Sequence, residues 1–117
     1  SPTNVILTGI CCGGDEKVYV CGQDGTLIRG RHGVWEIIEL ENMTDDFWDV
    51  CWFKDRIYLA TMTMLFEYRR GEFFLPVEFG DDAPETCYRL TAADGVLWSI
   101  GSGDVFSFDG THWTRAD

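Results

Sequence analysis

The chain has 117 residues, which suits one domain, and 45% of them are hydrophobic, enough apolar material to build a folded core and to exclude a disordered chain. Acidic residues outnumber basic ones by 20 to 9, and a formal net charge of −11 repels nucleic acid and anionic membranes. No apolar run approaches the roughly 18 residues needed to span a bilayer, so we expect neither nucleic acid nor membrane as a partner.

A pattern of short strands recurs three times along the chain. The motif Val-Tyr-Val at Val18 returns as Ile-Tyr-Leu at Ile57 and as Leu-Trp-Ser at Leu97, at spacings of 39 and then 40 residues. Each motif follows another apolar strand, and these strands are Ile10-Cys11-Cys12, Val50-Cys51-Trp52 and Leu90-Thr91-Ala92. A third strand follows each motif, and we align these as Thr26-Leu27-Ile28, Met64-Leu65-Phe66 and Val105-Phe106-Ser107.

Each repeat then continues through a glycine turn to an aromatic residue that begins a fourth strand. The glycines are Gly33, Gly71 and Gly110, and the aromatic residues are Trp35, Phe73 and Trp113. Four short strands in about 40 residues is the period of a β-propeller blade. The sequence therefore predicts an all-β fold of three four-stranded antiparallel blades within one domain over 1–117, with blades near 5–42, 45–80 and 86–117.

The repeats resemble a bacterial propeller family of the YVTN and Kelch-like kind, whose blades read Val-Tyr-x-x-Gly, then Asp-Gly-Thr, then Asp-Gly-x-x-Trp. The first repeat has Val18-Tyr19-Val20-Cys21-Gly22 and Asp24-Gly25-Thr26, and the third has Asp109-Gly110-Thr111-His112-Trp113. The second repeat departs from the pattern, with Met62-Thr63 in place of an Asp-Gly turn. The resemblance implies the propeller fold and says little about function, because propellers host many activities.

Three blades leave two broad blade faces exposed, whereas closed propellers usually have about four to eight blades. We therefore expect the chain to form a homodimer that closes a six-bladed ring. The alternatives are that the chain is part of a longer propeller, or that it is an open three-bladed arc.

The sequence gives little support to catalysis, metal binding or a cofactor. His32 and His112 fall in the equivalent turn of their blades, with no nucleophile placed beside them by a motif. The glycine-rich stretch 101–104 lacks the following helix of a phosphate site. The five cysteines are odd in number and show no Cys-x-x-Cys spacing, so we interpret them as reduced thiols of a cytoplasmic protein. We expect no catalytic residue, no metal and no cofactor.

Acidic residues concentrate in the connections that a propeller places on one face. The stretch 36–53 holds six acids and the stretch 71–88 holds five, and neither contains Lys or Arg. Trp48 follows the first of these acidic loops, where its counterparts are Thr8 and Tyr88, so it is a candidate contact residue. The predicted partner-binding residues are Asp24, Glu41, Asp45, Asp46, Trp48, Asp81, Asp82, Glu85 and Asp104.

Two functions are compatible with this pattern. The first is a non-enzymatic binding protein whose acidic face captures a basic protein, for example a bacterial immunity protein that neutralises a basic toxin. The second is a propeller enzyme or a sugar-binding lectin with a site at the ring centre, which the inward strand positions Gly9, Asp49 and Arg89 would line.

Overall fold

The computed structural model describes residues 4–117 and contains twelve β-strands within that range. The strands are β1 (Leu7–Cys12), β2 (Val18–Gly22), β3 (Thr26–Arg31), β4 (Val34–Ile37), β5 (Asp49–Phe53), β6 (Arg56–Ala60), β7 (Leu65–Arg69), β8 (Phe73–Pro76), β9 (Arg89–Ala93), β10 (Val96–Ile100), β11 (Val105–Phe108) and β12 (Trp113–Arg115). Four consecutive strands form each antiparallel sheet, in the orders β1-β2-β3-β4, β5-β6-β7-β8 and β9-β10-β11-β12. The predicted all-β fold of three four-stranded blades is confirmed.

Tight turns join the strands within each blade, and their sequences explain why the chain reverses there. The turn between β3 and β4 places Gly33 at φ 80°, and the turn between β9 and β10 places Gly95 at φ 79°. This left-handed region costs glycine little because glycine has no Cβ. The Asp and Gly signals of the sequence thus mark real hairpin turns.

Blade 2 lies between the other two and packs against both. Tyr19, Cys21 and Leu27 of blade 1 share one buried cluster with Val50 and Leu59 of blade 2. The opposite face of blade 2 forms a second cluster with blade 3, and its buried members include Tyr58, Leu65, Leu90 and Leu97. Side chains alternate between the two faces of a strand, so one blade sequence supplies both interfaces.

The sequence alignment of the third strand of blade 3, β11, is wrong by one residue. In blade 1, Cys21 pairs with Leu27, and in blade 3 the equivalent Ile100 pairs with Val105. Val105 is therefore the counterpart of Leu27, and Thr26 has its counterpart in Asp104. The turn before β11 is one residue shorter than the turn before β3, and a one-residue shift moves every side chain to the opposite face.

The cysteines are free thiols that differ in exposure. Cys21, Cys51 and Cys87 are buried, Cys11 is half-buried and Cys12 is exposed. Burial raises the pKa of Cys11 to about 12, with the neighbouring Cys51 adding to the effect. Burial likewise raises the pKa values of Cys21, Cys51 and Cys87 to about 11. The buried thiols are thus apolar core groups.

Candidate partner-binding face

The turns between the second and third strands and the two loops that connect the blades lie together on one face. The loop 38–48 receives a hydrogen bond of 2.7 Å from Gly25 N to Asp45 O. The loop 77–88 is bound in the same way, since Cys87 N donates to Met62 O at 2.8 Å. Acidic residues from separate parts of the chain therefore meet on a common face.

Three acidic residues lie together at one corner of this face. Asp24 N donates to Asp46 Oδ1 at 3.0 Å, and Gly25 N binds the adjacent Asp45 O, so Asp24, Asp45 and Asp46 are neighbours. All three residues are exposed, as is Glu41 in the same loop. None of the ion pairs formed within residues 4–117 includes these four residues. We call Asp24, Asp45 and Asp46 the acidic corner.

The second loop offers exposed acids too, but one of them is paired. Asp81, Asp82 and Glu85 are exposed. Arg115 donates from Nη2 to Asp82 Oδ1 at 2.9 Å and from Nε to Asp82 Oδ2 at 3.0 Å. These hydrogen bonds hold the pKa of Asp82 below its usual range. The stretch 71–88 contains no Lys or Arg, but a strand of blade 3 brings Arg115 alongside Asp82, with which it pairs.

Asp104 differs from the other acidic candidates because it is only 7% exposed. Its Oδ2 accepts a hydrogen bond of 2.9 Å from Glu85 N, which fastens the loop 77–88 to the turn before β11. Its Oδ1 is buried and has no hydrogen-bond partner among residues 4–117. Asp104 therefore supports the loop that carries Glu85, and it does not present its carboxylate to solvent.

Trp48 lies on the acidic face with 45% of its surface exposed. Its ring meets that of Tyr88 edge to face, with centroids 5.6 Å apart. Trp48 separates two clefts. One, of about 300 Å³, is lined by Asp45, Asp46, Trp48, Thr61, Met62 and Thr63. The other, of about 360 Å³, is lined by Thr8, Trp48, Asp49, Tyr88 and Arg89.

Sequence reasoning missed Met62, Thr63 and Tyr88 as parts of this surface. Met62 and Thr63 had been noted as a departure from the Asp-Gly turn of the repeat, and Tyr88 as the counterpart of Trp48. The departure of Met62 and Thr63 from the repeat was therefore the signal in the sequence that could have pointed to this surface. Binding residues lie preferentially on loops that a rigid scaffold positions.

The innermost strand positions Gly9, Asp49 and Arg89 lie side by side. A Cβ on Gly9 would stand 3.1 Å from Asp49 Cα, which is a tight contact, so glycine allows this approach without a shift of blade 2. Asp49 Oδ2 accepts a hydrogen bond of 2.8 Å from Leu90 N, and Arg89 Nε lies 3.9 Å from the same oxygen. Asp49 thus joins the inner edges of blades 2 and 3.

The two histidines take part in local contacts in their turns. Arg31 Nε donates to His32 Nε2 at 3.0 Å, and His112 N donates to Asp109 Oδ1 at 2.8 Å. Over residues 4–117, no group of three His, Cys, Asp or Glu side chains could hold a metal ion. The same part of the chain contains no helix long and apolar enough to cross a membrane.

Comparison with known proteins gives one strong sequence match and supports the fold. The chain is 50% identical over all 117 residues to the Immune protein Tsi7 of Pseudomonas aeruginosa, and it spans 38% of the length of that relative. No family model matches the chain.

Two solved structures resemble the chain in fold. The structure of YCF48 from Cyanidioschyzon merolae superimposes with a TM-score of 0.77 at 18% identity, over 98% of this chain and 38% of that one. A structure of YCF48 bound to D1 peptide gives 0.74 at 16% identity, over 97% and 42% of the two chains. These likenesses show the propeller-blade architecture alone.

Proposed function

We propose that the chain is a non-enzymatic, protein-binding β-propeller module that works as an immunity protein in the bacterial cytoplasm, where it holds a basic toxin on its acidic face as a homodimer. The observation that carries this proposal is the 50% identity to the Immune protein Tsi7 along the whole chain. Because the chain spans 38% of that relative, the activity of the relative is carried over here as a proposal.

The charges of the acidic face support a basic partner. The acidic corner consists of exposed carboxylates that no Lys or Arg of residues 4–117 neutralises, within a chain of net charge −11. Concentrated charge of one sign steers an oppositely charged protein toward the surface and raises its association rate. An immunity protein benefits from such steering because it must capture its toxin quickly.

Trp48 supplies an apolar anchor beside these charges. Hot spots of protein interfaces are enriched in tryptophan and lie in clefts that exclude water. The cleft between Trp48, Met62 and the carboxylates of Asp45 and Asp46 combines an aromatic face with negative charge. A lysine or arginine side chain fits this chemistry, since its cation can contact both the carboxylates and the tryptophan ring.

The experiment is a protection and binding assay against a candidate toxin, chosen as a basic protein from among the products of the neighbouring genes. Cells that express that protein should survive when this chain is co-expressed, and a purified inactive form should bind with an association rate that falls as salt rises. Protection together with salt-insensitive binding would leave the immunity function in place and reject the electrostatic face. Neither protection nor binding would reject the immunity function for that protein pair.

A second candidate function, sugar binding at the ring centre, has one specific observation in its favour. The cleft of about 360 Å³ sets the rings of Trp48 and Tyr88 beside Asp49 and Arg89. Aromatic faces with nearby polar groups can hold a sugar. A glycan-array screen tests this function, and binding abolished by Tyr88→Ala but unaffected by salt would favour it over the toxin-binding proposal.

A further inference from the structure

Arg89 is an exposed cation beside the acidic loops, in the cleft of about 360 Å³ that Trp48 borders. Its side chain is 78% exposed, and its one ion pair within residues 4–117 joins Arg89 Nε to Asp49 Oδ2 at 3.9 Å. That separation exceeds the range of a hydrogen bond. Among residues 4–117, the guanidinium of Arg89 therefore has a neighbouring charge but no hydrogen-bond acceptor.

Asp49 leaves Arg89 without an acceptor because backbone groups already use its carboxylate. Asp49 Oδ1 accepts from Val50 N at 2.9 Å, and Asp49 Oδ2 accepts from Leu90 N at 2.8 Å. Arg115, the cation beside the loop 77–88, is the contrasting case, since it donates two hydrogen bonds to the carboxylate of Asp82. The N–H donors of Arg89 are thus available to an acceptor from outside the chain.

The walls of this cleft suit a carboxylate that is carried on a short hydrocarbon chain. The rings of Trp48 and Tyr88 meet edge to face at 5.6 Å between centroids and offer apolar surface next to the cation. A guanidinium presents its donors as a planar fork that matches the two oxygens of a carboxylate. The lining residues belong to β1, β5 and β9 or directly precede these strands, so the cleft is formed within residues 4–117.

We infer that this cleft is a carboxylate-binding site, in which Arg89 binds the side chain of an aspartate or glutamate of the basic partner. The identity of the occupant rests on the proposed function, whereas the carboxylate site belongs to this chain and can be tested without a partner. The cleft on the other side of Trp48 is lined by Asp45 and Asp46 and suits a cation. The partner therefore presents a cation and a carboxylate on the two sides of Trp48.

Arg89 makes the acidic face selective among basic proteins. A surface that carries only negative charge attracts any protein rich in lysine and arginine. A protein that sets a cation opposite Arg89 meets a like charge, whereas one that sets a carboxylate there gains a charge-assisted pair. Arg89 is thus a specificity-determining residue, and the exposed acids and Arg89 divide attraction and selection between them.

The first measurement titrates this chain with sodium benzoate, which joins a carboxylate to an apolar ring, and with benzamide, its uncharged analogue. Benzoate should shift the NMR signal of the Trp48 indole N–H, and benzamide should shift it far less. Arg89→Gln should abolish the benzoate shift. Arg115→Gln is the matched control, because it removes the same charge beside the loop 77–88, and it should retain the shift. Equal shifts with both probes, a shift retained in Arg89→Gln, or no shift with benzoate overturns the carboxylate site.

The second measurement is the kinetics of binding to the toxin that the protection assay identifies. Both variants remove a positive charge and should speed association with a basic protein. Arg89→Gln should in addition speed dissociation by roughly 10-fold to 100-fold, because a hydrogen-bonded ion pair is lost, whereas Arg115→Gln should leave dissociation nearly unchanged. Circular dichroism verifies that both variants are folded.

The two measurements separate failure of this inference from failure of the proposed function. Unchanged dissociation in Arg89→Gln overturns the contact between Arg89 and the partner while toxin binding itself stands. Absence of toxin binding by the unmodified chain, together with the expected benzoate shifts, rejects the proposed function and the partner as occupant but leaves the carboxylate site in place.

Discussion

Asp49 Oδ2, at the inner end of blade 2, accepts a hydrogen bond of 2.8 Å from Leu90 N at the inner end of blade 3. Asp49 Oδ1 also accepts from Val50 N at 2.9 Å, so one half-buried carboxylate satisfies two backbone donors. The Asp49 side chain thereby links the backbone of blade 2 to that of blade 3. The first prediction tests this junction.

Asp49→Ala should lower the free energy of unfolding by about 1–3 kcal/mol, because it leaves Leu90 N without its acceptor. Asp49→Asn retains an acceptor oxygen, so its free energy of unfolding should fall less than that of Asp49→Ala. Asp81→Ala, an exposed loop change, serves as the control and should fall within about 0.5 kcal/mol of the unmodified chain. Urea unfolding followed by tryptophan fluorescence measures all three stabilities. Equal stabilities for Asp49→Ala and Asp81→Ala would show that the Asp49 side chain does not stabilise the contact between blades 2 and 3.

The acidic corner should control the rate of capture of a basic partner. Asp45→Lys combined with Asp46→Asn removes negative charge while the amide oxygen still accepts from Asp24 N. We expect a slower association rate at low salt and a smaller difference at physiological ionic strength, where charges are screened beyond about 8 Å. Glu72→Lys reverses a charge on the opposite rim and should change the rate less, as stopped-flow or surface-plasmon kinetics can determine.

The other acidic loop should respond differently, because Arg115 already pairs with Asp82. Arg115→Ala removes both hydrogen bonds to Asp82, so the pKa of Asp82 should rise toward its usual value. The same variant removes a positive charge and leaves both of its partners, Asp82 and Asp117, unpaired by Arg115, so it should speed association with a basic partner. Carboxyl NMR titration measures the pKa, and an unchanged Asp82 titration would show that the pair does not persist in solution.

The thiols should separate into two reactivity groups. Thiol titration of the denatured protein without reductant should find five groups, one for every cysteine of the sequence. In the native monomer Cys12 should react first, because it is exposed. The other thiols should react slowly, since burial raises their pKa values to about 11 or 12 and the thiolate is the reactive form. Fewer than five groups after denaturation would reveal a disulfide.

Stability should decline in alkaline solution for the same reason. Burial raises the pKa of Cys21, Cys51 and Cys87 from 9.0 to about 11, so the unfolded chain releases these protons at a lower pH than the native chain does. The stabilisation is therefore complete below about pH 9 and is lost as the pH rises through about 11. Urea unfolding across this range measures the decline, which should be shallower in Cys21→Ala. An equal decline in that variant would assign the effect to other groups.

The repeat made the strands and their order predictable from the sequence, because each blade repeats the same alternation of apolar residues and turns. The sequence also placed the acidic loops and turns on one face, since that follows from the connectivity of any propeller blade. The alignment of β11 failed by one residue because the turn before β11 is shorter than its counterpart before β3. Spacing within strands thus transfers between blades, whereas turn length does not.

The features that the sequence did not predict depend on contacts between distant parts of the chain. Arg115 reaches Asp82 across 33 positions, so local charge counting could not find the pair. Asp104 is an acid in a loop-like stretch, yet the register of β11 turns it inward. Cys12 belongs to an apolar strand pattern and is nonetheless exposed, because no other strand of residues 4–117 packs against the side of β1 on which it lies.

The position of blade 2 between its neighbours has a consequence for how the chain opens. A stack in which each unit contacts its nearest neighbours loses its end units most easily, and both broad faces of blade 2 are covered within a single chain. Backbone amide protons of β6 and β7 should therefore exchange with solvent deuterium most slowly, while those of β4 and β12 at the outer edges exchange first. Joining two copies would remove the difference between end and middle blades and would leave the outer edge strands as the place where exchange begins.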